Sequence, residues 1–144
     1  EKLVDWFGAE RFVVGYTHHP YRDRLLGALA LLGAREAIAV RGLEGSDVLR
    51  PGRPVADAAG GPLDLPEELG FAIAPAEGAQ ASAELTRAVL AGEADRPVEV
   101  AIALSAGVRL FAAGAAGTAL RGASAARAAI ANGRATAALE ALVG

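Results

Sequence analysis

At 144 residues the chain has the length for one domain with a real core and too little for two. Hydrophobic residues make up 53% of it, but much of that is alanine and only 5% is aromatic, so any core packs small side chains closely. A net charge of −3 without a basic block excludes a general electrostatic pull on nucleic acid, and zero cysteines exclude disulfides and thiolate metal sites.

The chain opens on Glu1-Lys2-Leu3-Val4-Asp5-Trp6-Phe7, the pattern of an amphipathic helix already under way and without an initial methionine. It reads as a segment cut from a longer, cytoplasmic protein, with no secretory signal. Phe12 to Tyr16 is a short strand. Pro20, after Thr17-His18-His19, suits the first turn of a helix on which Leu25, Leu29 and Leu32 share a face, with Leu26 beside them. Gly33-Ala34 ends that helix, and Glu36 to Arg41 forms a second strand. Strand, helix, strand is a βαβ unit, whose parallel strands need a right-handed crossover. The second strand runs into Gly42-Leu43-Glu44-Gly45-Ser46-Asp47, a glycine-rich acidic loop at a strand's carboxyl end. Ligands of open α/β sheets sit in that crevice.

Residues 50 to 78 are rich in proline and glycine. Short strands are expected at Pro54 to Ala58 and around Leu63 to Leu65, joined by a turn at Gly60-Gly61, with a helical turn at Pro66 to Gly70. The remainder is helical: Ala79 to Ala91 stopped by Gly92, Val98 to Ala113 with Pro97 in its first turn, Thr118 capping a helix through Ile130, and Arg134 to Val143. Val98 to Ala119 has the length of a bilayer span, yet Glu99 and Arg109 lie inside it, and a charge within an isolated span is costly. We read it as a buried, small-residue core helix and expect no membrane partner. The fold class that follows is α/β: an open, mostly parallel sheet with helices packed on it and a helical C-terminal half, forming one partial domain over 1–144.

Few residues can carry chemistry. Glu44 and Asp47 could hold Mg²⁺, which takes one or two carboxylates and fills its other positions with water or phosphate oxygens. Asp and Gly are also what an ordinary solvated turn requires, and that is their more frequent role. His18 and His19 point opposite ways if the segment is extended, which suits contact with a phosphate or acid–base work by one of them and not a shared metal. The plainer role is a hinge held by backbone hydrogen bonds. Arg41, Arg50 and Arg53 flank the loop and could bind an anionic substrate or balance its carboxylates. Arg109, within an apolar helix, is expected in a buried structural contact. There is no G-x-x-x-x-G-K-[ST], no G-x-G-x-x-G after a strand, no G-x-S-x-G and no zinc spacing.

Several phrases, in order and over nearly the whole chain, resemble one family. Val14-Gly15-Tyr16-Thr17-His18-His19-Pro20-Tyr21 resembles the V-G-V-x-H-P crossover of the anthranilate phosphoribosyltransferase-like proteins (glycosyltransferase family 3). Leu32-Gly33-Ala34-Arg35-Glu36-Ala37-Ile38-Ala39-Val40-Arg41-Gly42 resembles their L-G-x-x-x-A-x-V-V-x-G strand, and Gly45-Ser46-Asp47 falls at their acidic loop. Leu85-Thr86-Arg87-Ala88-Val89-Leu90-Ala91-Gly92 is similar to their I-L-x-G helix. Ala131-Asn132-Gly133-Arg134-Ala135, with Leu139-Glu140-Ala141-Leu142, is similar to their closing helix.

The resemblance implies the C-terminal part of the large α/β domain of a transferase that moves a phosphoribosyl group from phosphoribosyl pyrophosphate to an aromatic amine. It implies Mg²⁺ as cofactor, a place in tryptophan biosynthesis, and a homodimer formed through a separate helical N-terminal domain. The family's diphosphate loop and its Lys-His-Gly-Asn-like segment lie upstream of residue 1, so the segment alone is expected to be inactive. The expected substrate-binding residues are His18, His19, Arg41 and Gly42, and the expected metal ligands are Asp47 and Glu44; no catalytic residue is assigned. In the family an Asp-Glu pair holds the metal, and here Val48 stands where the glutamate is usual, which weakens the grip. The alternative is a catalytically divergent member that acts as a dimeric nucleic-acid-binding protein.

Overall fold

The computed structural model describes residues 3, 8–42, 45–50, 52–66 and 76–143. Apart from Leu3, the expected opening helix lies outside them, as does the expected helical turn beyond Pro66.

Strand β1 (Arg11–Tyr16), helix α1 (Pro20–Leu31) and strand β2 (Glu36–Arg41) form the βαβ unit that the sequence predicts. The two strands pair in parallel, with Arg11 opposite Glu36 and Tyr16 opposite Arg41. Pro20 occupies the first turn of α1, where a missing N–H costs nothing. Gly33 follows the helix at φ +86°, a left-handed conformation that an L side chain resists.

After β2 the pairing changes direction. Strand β3 (Ala56–Ala58) lies antiparallel to β2, and β4 (Gly61–Pro62) lies antiparallel to β3, giving the order β1-β2-β3-β4. The sheet is therefore mixed, and the parallel arrangement read from the sequence holds for β1 and β2 only. The physical reason is the connection. A parallel return needs a crossover, usually a helix, whereas an antiparallel one can follow a loop. The expected hairpin is present, but its second strand lies earlier than Leu63 to Leu65. Leu63 still donates its N–H to the Ala56 carbonyl (2.8 Å), and both leucines pack against the core.

Helices α2 (Gly78–Ala91), α3 (Arg96–Ala112), α4 (Ala119–Ala131) and α5 (Arg134–Val143) complete the described chain. Their ends are those the sequence marks. Gly92 closes α2 at φ +74°, Pro97 sits in the first turn of α3, and the Thr118 hydroxyl accepts the Arg121 N–H at the start of α4.

Alternation along the strands gives each sheet face its own core. Ile38, Val40 and Ala56 join Leu49 and the α3 and α4 residues Ala103, Leu104, Val108, Ala112, Ala119 and Ala123. On the other face Val14, Tyr16 and Ala39 pack under Leu29 of α1, with Leu25 and Leu26 half-buried beside them. Leu32, expected on that face, is the C-cap residue and is 65% exposed, because the helix ends one residue before it.

The buried small-residue helix is α3. Ala101, Ala103, Ser105, Gly107 and Ala112 are all buried, and a Cβ on Gly107 would collide with the backbone of Ala119 and Ala123 in α4. Its charges have partners: Glu99 pairs with Arg127 of α4 (3.0 Å) and Arg109 with Asp47 (2.6 Å). Among the described residues no helix is long and apolar enough to cross a membrane.

Candidate functional site

The carboxyl ends of β1 and β2 carry a glycine each, Gly15 and Gly42, and the loop after β2 folds back over both. A Cβ at either position would run into the Ser46 backbone. Glycine here serves close backbone approach. Gly42 donates its N–H to the Tyr16 carbonyl (3.2 Å) and accepts from Arg50 Nε at its own carbonyl (3.0 Å). With Val13, Val14, Gly15 and Gly45, the residues Ser46 and Asp47 line an open hollow of about 240 Å³.

From the other side, α3 holds the loop. Leu49 donates its N–H to Ser105 Oγ (3.2 Å), and Arg109 donates through Nη2 to Asp47 Oδ2 (2.6 Å) and through Nη1 to the Ser105 carbonyl (3.0 Å). Ser105 and Arg109 are four residues apart, hence on one helix face. The Arg109 contact is structural, as expected from the sequence, but it is not buried: its side chain is 42% exposed.

A second polar cluster lies on the α1 face. Asp57 of β3 is buried, accepts the Tyr16 hydroxyl at Oδ2 (3.3 Å) and accepts from Arg22 Nη1 at Oδ1 (3.4 Å). Burial raises the Tyr16 pKa above its usual value, and the neighbouring Asp57 carboxylate adds to the rise. Arg41 shares this face through its register with Tyr16, and its Nε is buried without a hydrogen-bond partner.

The expected site residues are thus divided. Gly42 and Gly15 both lie beneath Ser46, and Asp47, the next residue, lines the hollow with Gly15. Arg41 belongs to the opposite face of the sheet. His18 and His19 are exposed at the start of α1, and their carbonyls accept the N–H groups of Tyr21 (2.9 Å) and Arg22 (3.1 Å), the backbone part of the hinge role. Glu44 lies outside the described residues. The flanking arginines do not balance Asp47: Arg50 reaches the Gly42 carbonyl, and Arg53 lines a separate hollow of about 610 Å³ with Val55, Leu63 and Leu65. Arg109 fills that role. Sequence reading missed the Asp47 pair, the Ser105 contact and the Tyr16–Asp57–Arg22 cluster. Two signals pointed to them: Ser105 and Arg109 at helical spacing, and one carboxylate, Asp57, between two alanines in a strand.

Mg²⁺ needs hard oxygen ligands in near-octahedral array. One oxygen of Asp47 is engaged by a guanidinium, the Val48 side chain offers no ligand atom, and among the described residues no group of three His, Cys, Asp or Glu side chains could hold a metal. Among the described residues the loop therefore offers Mg²⁺ a single carboxylate that is already paired with a guanidinium, an arrangement that does not suit the ion.

A parallel βαβ unit, extended by antiparallel strands and backed by a helical half, with a glycine-seated loop at the strand ends, defines an α/β chain built to present a loop in the sheet's crevice. No protein-family profile matches it. It is 36% identical over 145 residues to anthranilate phosphoribosyltransferase from Thermus thermophilus, and 34% identical over 152 residues to the enzyme of that name from Paracidovorax citrulli. These alignments cover 96% and 98% of this chain but 44% of each relative. The crystal structure of the Thermus thermophilus enzyme superposes with a TM-score of 0.74 at 34% identity, covering 90% of this chain and 41% of that one. The chain is similar in sequence and fold to part of the anthranilate phosphoribosyltransferases, and it spans less than half the length of the curated relatives it matches.

Proposed function

We propose that the protein carrying this chain transfers a phosphoribosyl group from phosphoribosyl pyrophosphate to an aromatic amine, with anthranilate as the acceptor, in a cytoplasmic homodimer serving tryptophan biosynthesis. The observation that supports this reading is the joint agreement of sequence and fold, 36% identity over 96% of the chain and a TM-score of 0.74 at 90% coverage. An oxocarbenium-like centre and a departing diphosphate call for preorganised charge, and no covalent nucleophile is needed. In this chain the substrate-facing parts would be the exposed His18 and His19 at the start of α1, with the buried Gly42 acting from beneath by seating Ser46. Arg41, with its unpartnered Nε, would contribute positive potential from the α1 face. The net charge of −3 offers nothing in favour of nucleic-acid binding.

The test is a purified full-length protein incubated with phosphoribosyl pyrophosphate and anthranilate, following loss of anthranilate fluorescence and release of pyrophosphate together. Equimolar consumption and release is the expected result, and residues 1–144 alone are expected to show none. A folded full-length protein that releases no pyrophosphate with anthranilate or other aromatic amines would overturn the reading.

A further inference from the structure

We propose that Arg109 stands in for a divalent cation at the acidic loop, neutralising Asp47 and pinning residues 47–49 to α3, so that these three residues need no metal to hold them. The Arg109 guanidinium reaches the Asp47 carboxylate at 2.6 Å, the Asp47 carbonyl at 3.4 Å and the Ser105 carbonyl at 3.0 Å. Ser105, one turn earlier, receives the Leu49 N–H at 3.2 Å. Two residues on one helix face thus hold both ends of the segment, while Gly15 and Gly42 let Ser46 settle onto the strand ends. Every one of these contacts comes from the chain itself.

A divalent ion at Asp47 would have to share the carboxylate with the guanidinium that holds Oδ2 and sit beside a like charge that cannot be removed by deprotonation. The adjacent Val48 side chain would give no ligand in return. The guanidinium therefore provides the charge balance that a cation would provide elsewhere, together with a directional tie that a hydrated ion lacks. Arg109 is in this sense a positioning residue for the loop.

This inference does not depend on the transferase reading, and its test reads binding and exchange without turnover. Mn²⁺ is titrated into the full-length protein and followed by its electron paramagnetic resonance signal, with Mg²⁺ as competitor. Wild type and Asp47→Asn should take up Mn²⁺ identically, because Asp47 contributes no ligand. Arg109→Met should bind Mn²⁺ about tenfold more tightly than wild type, the gain expected from removing one adjacent unit charge. Adding Asp47→Asn should abolish that gain. Hydrogen exchange at the Leu49 amide should be the same in Mg²⁺ and in EDTA for wild type, and faster in Arg109→Met. Arg109→Lys keeps the charge without the fork, so it should show the faster exchange without the gain in Mn²⁺ affinity; this decides the matter if Arg109→Met does not fold. A Mn²⁺ ion held by wild type and lost in Asp47→Asn would overturn the proposal. So would Leu49 exchange that slows with Mg²⁺ in wild type, or an Arg109→Met variant with unchanged Mn²⁺ affinity.

Discussion

The two faces of the sheet are covered by helices in opposite ways. On one, α3 and α4 cross so closely that Gly107 and Gly122 bring backbone against backbone, and the core between them and the sheet is alanine, valine, leucine and Ile38. On the other, α1 rests on a smaller cluster centred on the fully buried Leu29, and the strand-end side of that face is polar, with Asp57 under Tyr16 and Arg22. The first face is limited by shape where its helices cross, because at Gly107 and Gly122 no space remains for an added carbon. The second is limited by filling and by hydrogen-bond partners. An alanine-rich chain with few large side chains can close a core only by such close approach, and it does so where both partners are helices.

The largest effect expected from this contrast is on the α1 face. Leu29→Ala should destabilise the protein by about 4 kcal/mol, within the span known for emptying a fully buried leucine site. Urea unfolding measures it. A loss under 1 kcal/mol would mean that α1 does not form a core of its own.

Two glycine substitutions are then expected to differ in sign. Gly107→Ala should cost about 2 kcal/mol through overpacking against α4, although alanine is the better helix former. Gly27→Ala, in α1, meets nothing within 4 Å, and should stabilise by about 0.7 kcal/mol. Gly27 is solvent-exposed and reports helix propensity alone, so a Gly107→Ala change that stabilises as Gly27→Ala does would end the reading of a shape-limited contact between α3 and α4.

Removing the buried carboxylate is expected to cost less than emptying the Leu29 site. Asp57→Ala strips the Tyr16 hydroxyl and Arg22 of their shared acceptor and should destabilise by about 1.5 kcal/mol. Tyr16→Phe beside it removes a single long bond and should cost under about 1 kcal/mol.

The pH dependence follows from the same cluster. The Tyr16 pKa is raised in the folded protein, so between the ordinary tyrosine value and the folded one the native state holds the proton that the unfolded state has lost. Stability from this group is complete at neutral pH and falls as pH rises above about 10. Tyr16→Phe should flatten that part of the stability curve. An unchanged alkaline slope would place its origin in other groups.

Much of the local structure was legible because it is settled within a few residues. Pro20 and Pro97 start helices, Thr118 caps one, and Gly33 and Gly92 stop two with left-handed residues; each acts on its own neighbours. The βαβ unit followed from the alternation of such signals. The small-residue character of α3, and the close packing it permits, were also written in the sequence. The tertiary structure alone decided that β3 returns antiparallel to β2, that Arg109 meets Asp47 across 62 residues, and that Asp57 lies beneath Tyr16 across 41. These are pairings between groups whose separation along the chain carries no trace of their meeting. An arginine in a helix and an aspartate in a loop each satisfy a local rule on their own, and only the packing of α3 against the strand ends turns the two into one contact.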